Sequence, residues 1–205
     1  EIYIDTGEGS IREGTIASNT IQATYSPGGA NIRFIGQSPM ANHRGGMWTI
    51  SGNLIGSQDY NVWLTSVRGV TLSGNVIYSG HQRNLLIEHC RNIVVGANCF
   101  DHNPDYEPNE LCTGIRVTDS VDILLQGLLI QDAQAGKHTW NGAGGTLESS
   151  ALLELVRCQR INLSGVQVID PAPVGIALED CSDSVITGCT ILETRAEPLM
   201  TQALT

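Results

Sequence analysis

A unit of 22 to 23 residues recurs along the chain, and a unit that short cannot bury a core by itself. Two copies superpose directly, Asn61–Leu64 through Val70–Ile77 and Asn84–Ile87 through Ile93–Phe100. One position of the unit is filled in turn by Asn19, Asn53, Asn75, Asn98, Leu128, Val166 and Cys189, at steps of 34, 22, 23, 30, 38 and 23 residues. The longer steps are insertions into a constant unit.

Each unit holds three short alternating segments. The first carries Val62/Leu64, Leu85/Ile87, Ile115/Val117, Leu153/Leu155 and Ile176/Leu178. The second carries Ile50, Val70/Leu72, Ile93/Val95, Ile123/Leu125 and Ile161/Leu163; the third carries Ile21, Ile55, Ile77, Phe100, Ile130, Val168 and Ile191. A period of two marks strands, and no 3.6 period runs over any long window. The apolar residues are mostly small or β-branched and only 5% of the chain is aromatic, which suits narrow stacked strands better than a helical bundle. The spacing predicts an all-β parallel β-helix of about seven coils, three strands per coil, stacked at roughly 4.8 Å. The leucine-rich-repeat spacing also fits Val67, Val70, Leu72, Asn75 and Ile77. That alternative requires a helical second half, and here the second half alternates. Coil length excludes hexapeptide helices.

Asn19, Asn53, Asn75 and Asn98 are expected to stack in one turn as a ladder, each amide donating to one neighbour and accepting from the other. From Leu128 onward the same column is apolar. The residue before it is Gly or small (Ser18, Gly52, Gly74, Ala97, Gly127, Gly165, Gly188), as a tight bend needs.

This Gly-Asn turn with its flanking alternation, Ser73-Gly74-Asn75-Val76-Ile77, and its repetition resemble the pectin lyase-like right-handed parallel β-helix superfamily over essentially the whole chain. The resemblance supplies the strand names PB1 (Val62–Leu64 type), PB2 (before the Asn turn) and PB3 (after it). It also implies a polysaccharide groove over PB1, walled by loops. The insertions fit that picture: residues 101–113, 131–150 and 170–174 lie between PB3 and the next PB1, and 36–46 follows an early PB1.

Alternation gives two outward PB1 columns: Arg33, Trp63, Leu86, Arg116, Glu154, Ala177, and Ile35, Thr65, Glu88, Thr118, Val156, Glu179. Rings stack on the CH faces of sugars, and charged groups bind hydroxyls or uronates. Trp63, Arg33, Glu154, Trp140 and Tyr106 are therefore candidate substrate contacts. A uronate lyase needs a base, Lys137 or His102, and a cation, Arg116. A glycosidase needs two carboxylates, with Glu88, Asp101, Asp105 and Glu154 as candidates. The alternative for Arg116 is a cross-coil ion pair with Glu88 or Glu154; for residues 101–105 it is turn chemistry. The superfamily's hydrolase motifs Asn-Thr-Asp, Asp-Asp, Gly-His-Gly and Arg-Ile-Lys do not occur, and Lys137 is the only lysine. A non-catalytic binding or structural solenoid is the competing reading, and whether the chain is an enzyme stays open.

The formal charge is −10, which disfavours nucleic acid and anionic membranes as partners, and no run of 18 apolar residues exists. Mapped onto the coils, the charge leaves a mixed-sign groove, suited to neutral or amine-bearing glycans. Calcium is a possible ligand of the acidic 101–110 loop, though no EF-hand or nonapeptide pattern is present. Cys99 and Cys112 bracket that loop and are expected to form a disulfide in an oxidising compartment, while Cys90, Cys158 and Cys181 share a column with Val67 and Ser120 and read as buried packing residues. Asn162-Leu163-Ser164 is a formal glycosylation sequon. The reading is of one elongated domain over 1–205, a segment of a longer protein that is secreted, periplasmic or on the cell surface. Its solenoid ends are open to end-to-end self-association.

Overall fold

The structure is a computed structural model. It describes residues 1–37, 44–103, 105, 114–131 and 150–205, with the backbone alone of Lys137–His138 and Gly145–Thr146. Three parallel sheets of eight, seven and seven strands run the length of a right-handed coil. PB1 comprises, in spatial as well as chain order, Ile2–Asp5, Ala30–Ile35, Tyr60–Thr65, Arg83–Glu88, Ile115–Thr118, Leu153–Val156, Val174–Glu179 and Gln202–Leu204. PB2 runs from Ile11–Ala17 to Val185–Thr187, and PB3 from Thr20–Gln22 to Thr190–Leu192. Lys137–His138 and Gly145–Thr146 pair as a separate antiparallel ribbon.

Period-two alternation sends one set of side chains inward, and the parallel register stacks like on like. Ile2, Ile32, Val62, Leu85, Ile115, Leu153 and Ile176 form one PB1 column. Val70, Ile93, Ile123 and Ile161 form a PB2 column. Ile55, Ile77, Phe100, Ile130 and Val168 form a PB3 column. From Ile32 through Ile176 these residues are at most 1% exposed. Burial of each such side chain is worth about 1.5–3 kcal/mol, so the columns are the main source of stability.

The bends are built from backbone in the left-handed region. Ser18, Gly52, Gly74, Ala97, Gly127, Gly165 and Gly188 all have φ between 49° and 66°. The asparagine ladder sits directly after them. Asn19 Nδ2 donates to Asn53 Oδ1 at 3.0 Å, Asn53 Nδ2 to Asn75 Oδ1 at 3.0 Å and Asn75 Nδ2 to Asn98 Oδ1 at 2.9 Å.

A second ladder, not anticipated from the sequence, stands at the entrance to PB1. Asn31 Nδ2 donates to Asn61 Oδ1 at 2.9 Å, and Asn61 Nδ2 to Asn84 Oδ1 at 2.6 Å. All three are fully buried. The signal was there: each asparagine directly precedes the first core residue of its strand (Ile32, Val62, Leu85).

At the N-terminal end the core is closed from one coil up. Gly14 is in register with Trp48, and a Cβ on Gly14 would stand 2.2 Å from the indole. The indole therefore fills the space that Gly14 leaves, edge-on to Phe34 at 5.4 Å. In the last coil Ile186 and Leu204 continue core columns yet are 36% and 46% exposed. The segment behind that coil is stapled by Glu193, whose carboxylate accepts from Arg195 Nε at 2.6 Å and from the backbone N–H of Met200 at 2.9 Å. These contacts, the Arg195 hydrogen bond foremost, hold the Glu193 carboxyl well below the usual carboxylate range.

Candidate functional site

The inward positions of PB1 being apolar, their sequence neighbours face outward. The register places Tyr3, Arg33, Trp63, Leu86, Arg116, Glu154 and Ala177 in one outer column. Asp5, Ile35, Thr65, Glu88, Thr118, Val156 and Glu179 form the next.

Trp63 is held from three directions. Arg33, one coil before, sets its guanidinium carbon 3.8 Å from the indole centroid. Tyr60, on the same strand, packs its ring 4.5 Å away at 40°. Glu88, one coil after, accepts the indole N–H at 2.7 Å through Oε2, which also takes the Thr65 hydroxyl at 3.4 Å. Trp63 is thus immobilised, with a cation over its ring and a carboxylate on its N–H. All four of Arg33, Tyr60, Trp63 and Glu88 are half-buried. Burial and the charge of Asp59 raise the Tyr60 hydroxyl above its ordinary pKa.

Glu154 is placed differently from the expectation. It shares the outer column but is 1% exposed. Its Oε2 lies 2.7 Å from Arg83 Nη2, and both side chains are buried. Its Oε1 accepts the Ser150 hydroxyl at 2.9 Å, the Ser150 backbone N–H, and the Ala151 N–H at 3.4 Å. A carboxylate so committed serves as the internal counter-ion of Arg83. Arg116, whose side chain is 33% exposed, lies 3.4 Å from the same Oε2. Of its readings, the structure displays the cross-coil ion pair, with Glu154 as partner.

His102 and Asp105 follow the PB3 strand Cys99–Asp101 and belong to a corner. The His102 N–H donates to Asp101 Oδ1 at 2.8 Å, and its Nδ1 is 3.6 Å from that oxygen. Asn103 Oδ1 accepts the Asp105 N–H at 3.0 Å, an Asx turn that leaves Asp105 exposed. Lys137 lies in the antiparallel ribbon, where only the backbone is described. Tyr106, Trp140 and Cys112 lie outside the described residues. Cys99 is partly buried, and the expected Cys99–Cys112 bridge falls on Cys112, outside the described residues. Among the described residues no three His, Cys, Asp or Glu side chains are grouped to hold a metal ion.

Sequence reasoning passed over Tyr60 and Arg83. They are register partners, and each stands just before a ladder asparagine. That shared position at the mouth of PB1 is the signal that could have found them. Along the PB1–PB2 edge, Arg157 forms a two-pronged bond to Asp119, at 2.7 Å to each oxygen. Arg157 thereby lowers the Asp119 pKa. The column beneath this edge is Val67, Cys90, Ser120 and Cys158, buried as anticipated, whereas Cys181, expected to be buried with them, is only partly buried.

Solved structures with the same fold include DFA-IIIase from Arthrobacter chlorophenolicus A6 in complex with GF2, at a TM-score of 0.59 and 11% identity. That match covers 95% of this chain and 48% of the enzyme. A mutant of the same enzyme in complex with DFA-III matches at a TM-score of 0.57 and 11% identity, over 93% of this chain and 44% of that one. The enzymatically active domain of tailspike protein 2 from bacteriophage CBA120 matches at 0.50 and 13% identity, over 96% of this chain and 26% of that one. The chain thus spans less than half the length of each of these proteins. No curated protein matches it. The model of the right-handed β-helix region matches residues 2–191. With three continuous parallel sheets and the stacked asparagine turn, the chain belongs to the right-handed β-helix family, within the pectin lyase-like superfamily.

Proposed function

We propose that the outer face of PB1 binds carbohydrate, with Arg33, Tyr60, Trp63 and Glu88 as its centre. The observation that carries this reading is the immobilised Trp63, flanked by Arg33 at 3.8 Å and Glu88 at 2.7 Å. Aromatic surface beside fixed hydrogen-bonding charges matches the two faces of a sugar, apolar CH on one side and hydroxyls at the rim. The site stands on strands, not on loops, so its geometry is set by the coil stack. The DFA-IIIase neighbour, whose structure holds GF2, supports a carbohydrate ligand on this architecture.

Binding without chemistry is the simpler form of the proposal. Glu154 is an internal counter-ion, and Asp105 is an exposed turn residue. Of the carboxylates considered for a glycosidase pair, Glu154 is thus already committed to Arg83. The test is a panel of polysaccharides run by affinity electrophoresis, with parallel assays for new reducing ends and for unsaturated products. Retardation that is lost in Trp63→Ala supports the site. Product formation promotes the chain to an enzyme. No retardation by any polysaccharide removes the proposal.

A further inference from the structure

The constellation around Trp63 also carries information about which sugars fit. Arg33 and Glu88 are both anchored on one indole, the first over its ring and the second on its N–H. The cation and the carboxylate are therefore held within about one ring's width of each other. They are not paired with each other, because each is committed to Trp63. Glu88 uses Oε2 for its contacts with Trp63 and Thr65, and no described residue donates to Oε1. The Tyr60 hydroxyl likewise makes no hydrogen bond to a described residue, while its ring is fixed against Trp63.

Resting on the carbohydrate reading above, we infer that this site selects a neutral sugar, reading two neighbouring hydroxyls with Arg33 as donor and Glu88 Oε1 as acceptor while Tyr60 caps the ring. The reasoning is electrostatic. A donor-only guanidinium beside an acceptor-only carboxylate matches hydroxyls, which both donate and accept. A ligand carboxylate placed here gains from Arg33 and loses to Glu88 at similar range, so the pair gives an acidic sugar no net attraction. Another exposed cation of PB1 lies further along the sheet: Arg116, 3.4 Å from Glu154, is two strands from Trp63, roughly 10 Å. If an acidic glycan is the true ligand, Arg116 is the residue that has to hold it.

Isothermal titration with neutral polysaccharides of glucose, mannose, galactose and fructose is set against polygalacturonate and alginate. The proteins are the parent chain and the variants Glu88→Gln, Tyr60→Phe and Arg116→Ala. Glu88→Gln keeps an oxygen for the Trp63 N–H but removes the charge and offers an amide where the acceptor stood. The expected result is binding of a neutral polysaccharide, weakened about tenfold or more by Glu88→Gln and about three- to tenfold by Tyr60→Phe. Arg116→Ala leaves that affinity within about twofold, and added salt changes it little because no ligand charge is neutralised. Unfolding midpoints within experimental error of the parent show that each variant is folded. Binding of polygalacturonate or alginate alone, abolished by Arg116→Ala, overturns the neutral-sugar inference and leaves the carbohydrate proposal standing. Neutral binding that Glu88→Gln and Tyr60→Phe leave intact overturns it as well. Failure of every polysaccharide to bind overturns the carbohydrate proposal itself.

Discussion

Replacing Asn75 by Ala removes the centre of the longer asparagine ladder. Asn75 is 1% exposed. Its Oδ1 accepts the backbone N–H of Asn53 at 2.9 Å and the Asn53 amide at 3.0 Å. Its Nδ2 donates to Ile50 O at 3.1 Å, Ser73 O at 3.2 Å and Asn98 Oδ1 at 2.9 Å. Two of the groups left behind keep other partners: the Asn53 amide still donates to Ile16 O, and Asn98 Oδ1 still accepts the residue 75 N–H. The Asn53 N–H does not; it is left buried without an acceptor, at about 1–3 kcal/mol. Two or three lost hydrogen bonds at about 1 kcal/mol each, with a small cavity, bring the total to about 3–5 kcal/mol. Asn19 is the control. It is exposed, and its amide only donates, to Ala17 O at 2.9 Å and Asn53 Oδ1 at 3.0 Å. Asn19→Ala should cost about 1 kcal/mol or less. Urea unfolding at a slope of about 2 kcal/mol/M converts the difference into a midpoint lowered by about 1.5–2.5 M for Asn75→Ala and by under about 0.5 M for Asn19→Ala. Equal slopes establish that the coils unfold together. If Asn75→Ala is no more damaging than Asn19→Ala, the ladder is not what satisfies this turn.

Three further outcomes follow from the same contacts. Glu154→Gln removes the carboxylate from beside the buried Arg83 guanidinium and should destabilise by about 3–5 kcal/mol, whereas Arg116→Ala, at a partly exposed and longer contact, should cost under about 1 kcal/mol by the same urea assay. Arg157 and Arg160 lower the pKa of Asp119 and Asp122 in the folded state, so the unfolded chain binds more protons between the two pKa values. The melting temperature should therefore hold from pH 7 to about 5 and fall below about pH 4, with a shallower fall in Asp119→Asn; an unchanged acid limb in that variant refutes the pairing. Burial pushes the Cys90 thiol up to about 12 and the Cys158 thiol up to about 11, so neither should react with a disulfide reagent at pH 8 until urea is added, and rapid native labelling of either contradicts the buried column.

The stacking of the coils could be read from the residues because two independent signals agreed. Alternation fixed which side chains point inward, and the recurring turn fixed the phase from coil to coil. The outer column Arg33, Trp63, Leu86, Arg116, Glu154, Ala177 emerges in register for that reason. What alternation cannot report is the surroundings of an outward side chain. Glu154 faces away from the core and is nonetheless buried, because Arg83, Ser150 and Ala151 converge on it. Arg83 comes from the first residue of its strand, where the period of two has no preceding residue to set its phase. Tyr60 was missed for the same reason. The second asparagine ladder escaped because two of its three rungs stand 30 residues apart, across a coil that carries an insertion. Trp48 filling the space of Gly14 depends on side-chain volume across coils, a relation that hydrophobic pattern does not encode.

The indole N–H of Trp63 offers the most direct test of the PB1 site. The chain has three tryptophans, so a nitrogen–proton correlation spectrum shows three indole signals, and Trp63→Phe identifies one of them. Trp48, an inward-facing indole edge-on to Phe34, serves as the internal reference. Titration with a neutral oligosaccharide should move the Trp63 signal saturably as the Glu88 contact adjusts, and leave that of Trp48 in place. A ligand that binds while the Trp63 signal stays fixed contradicts the placement of the site, and a fixed signal with every glycan contradicts the function.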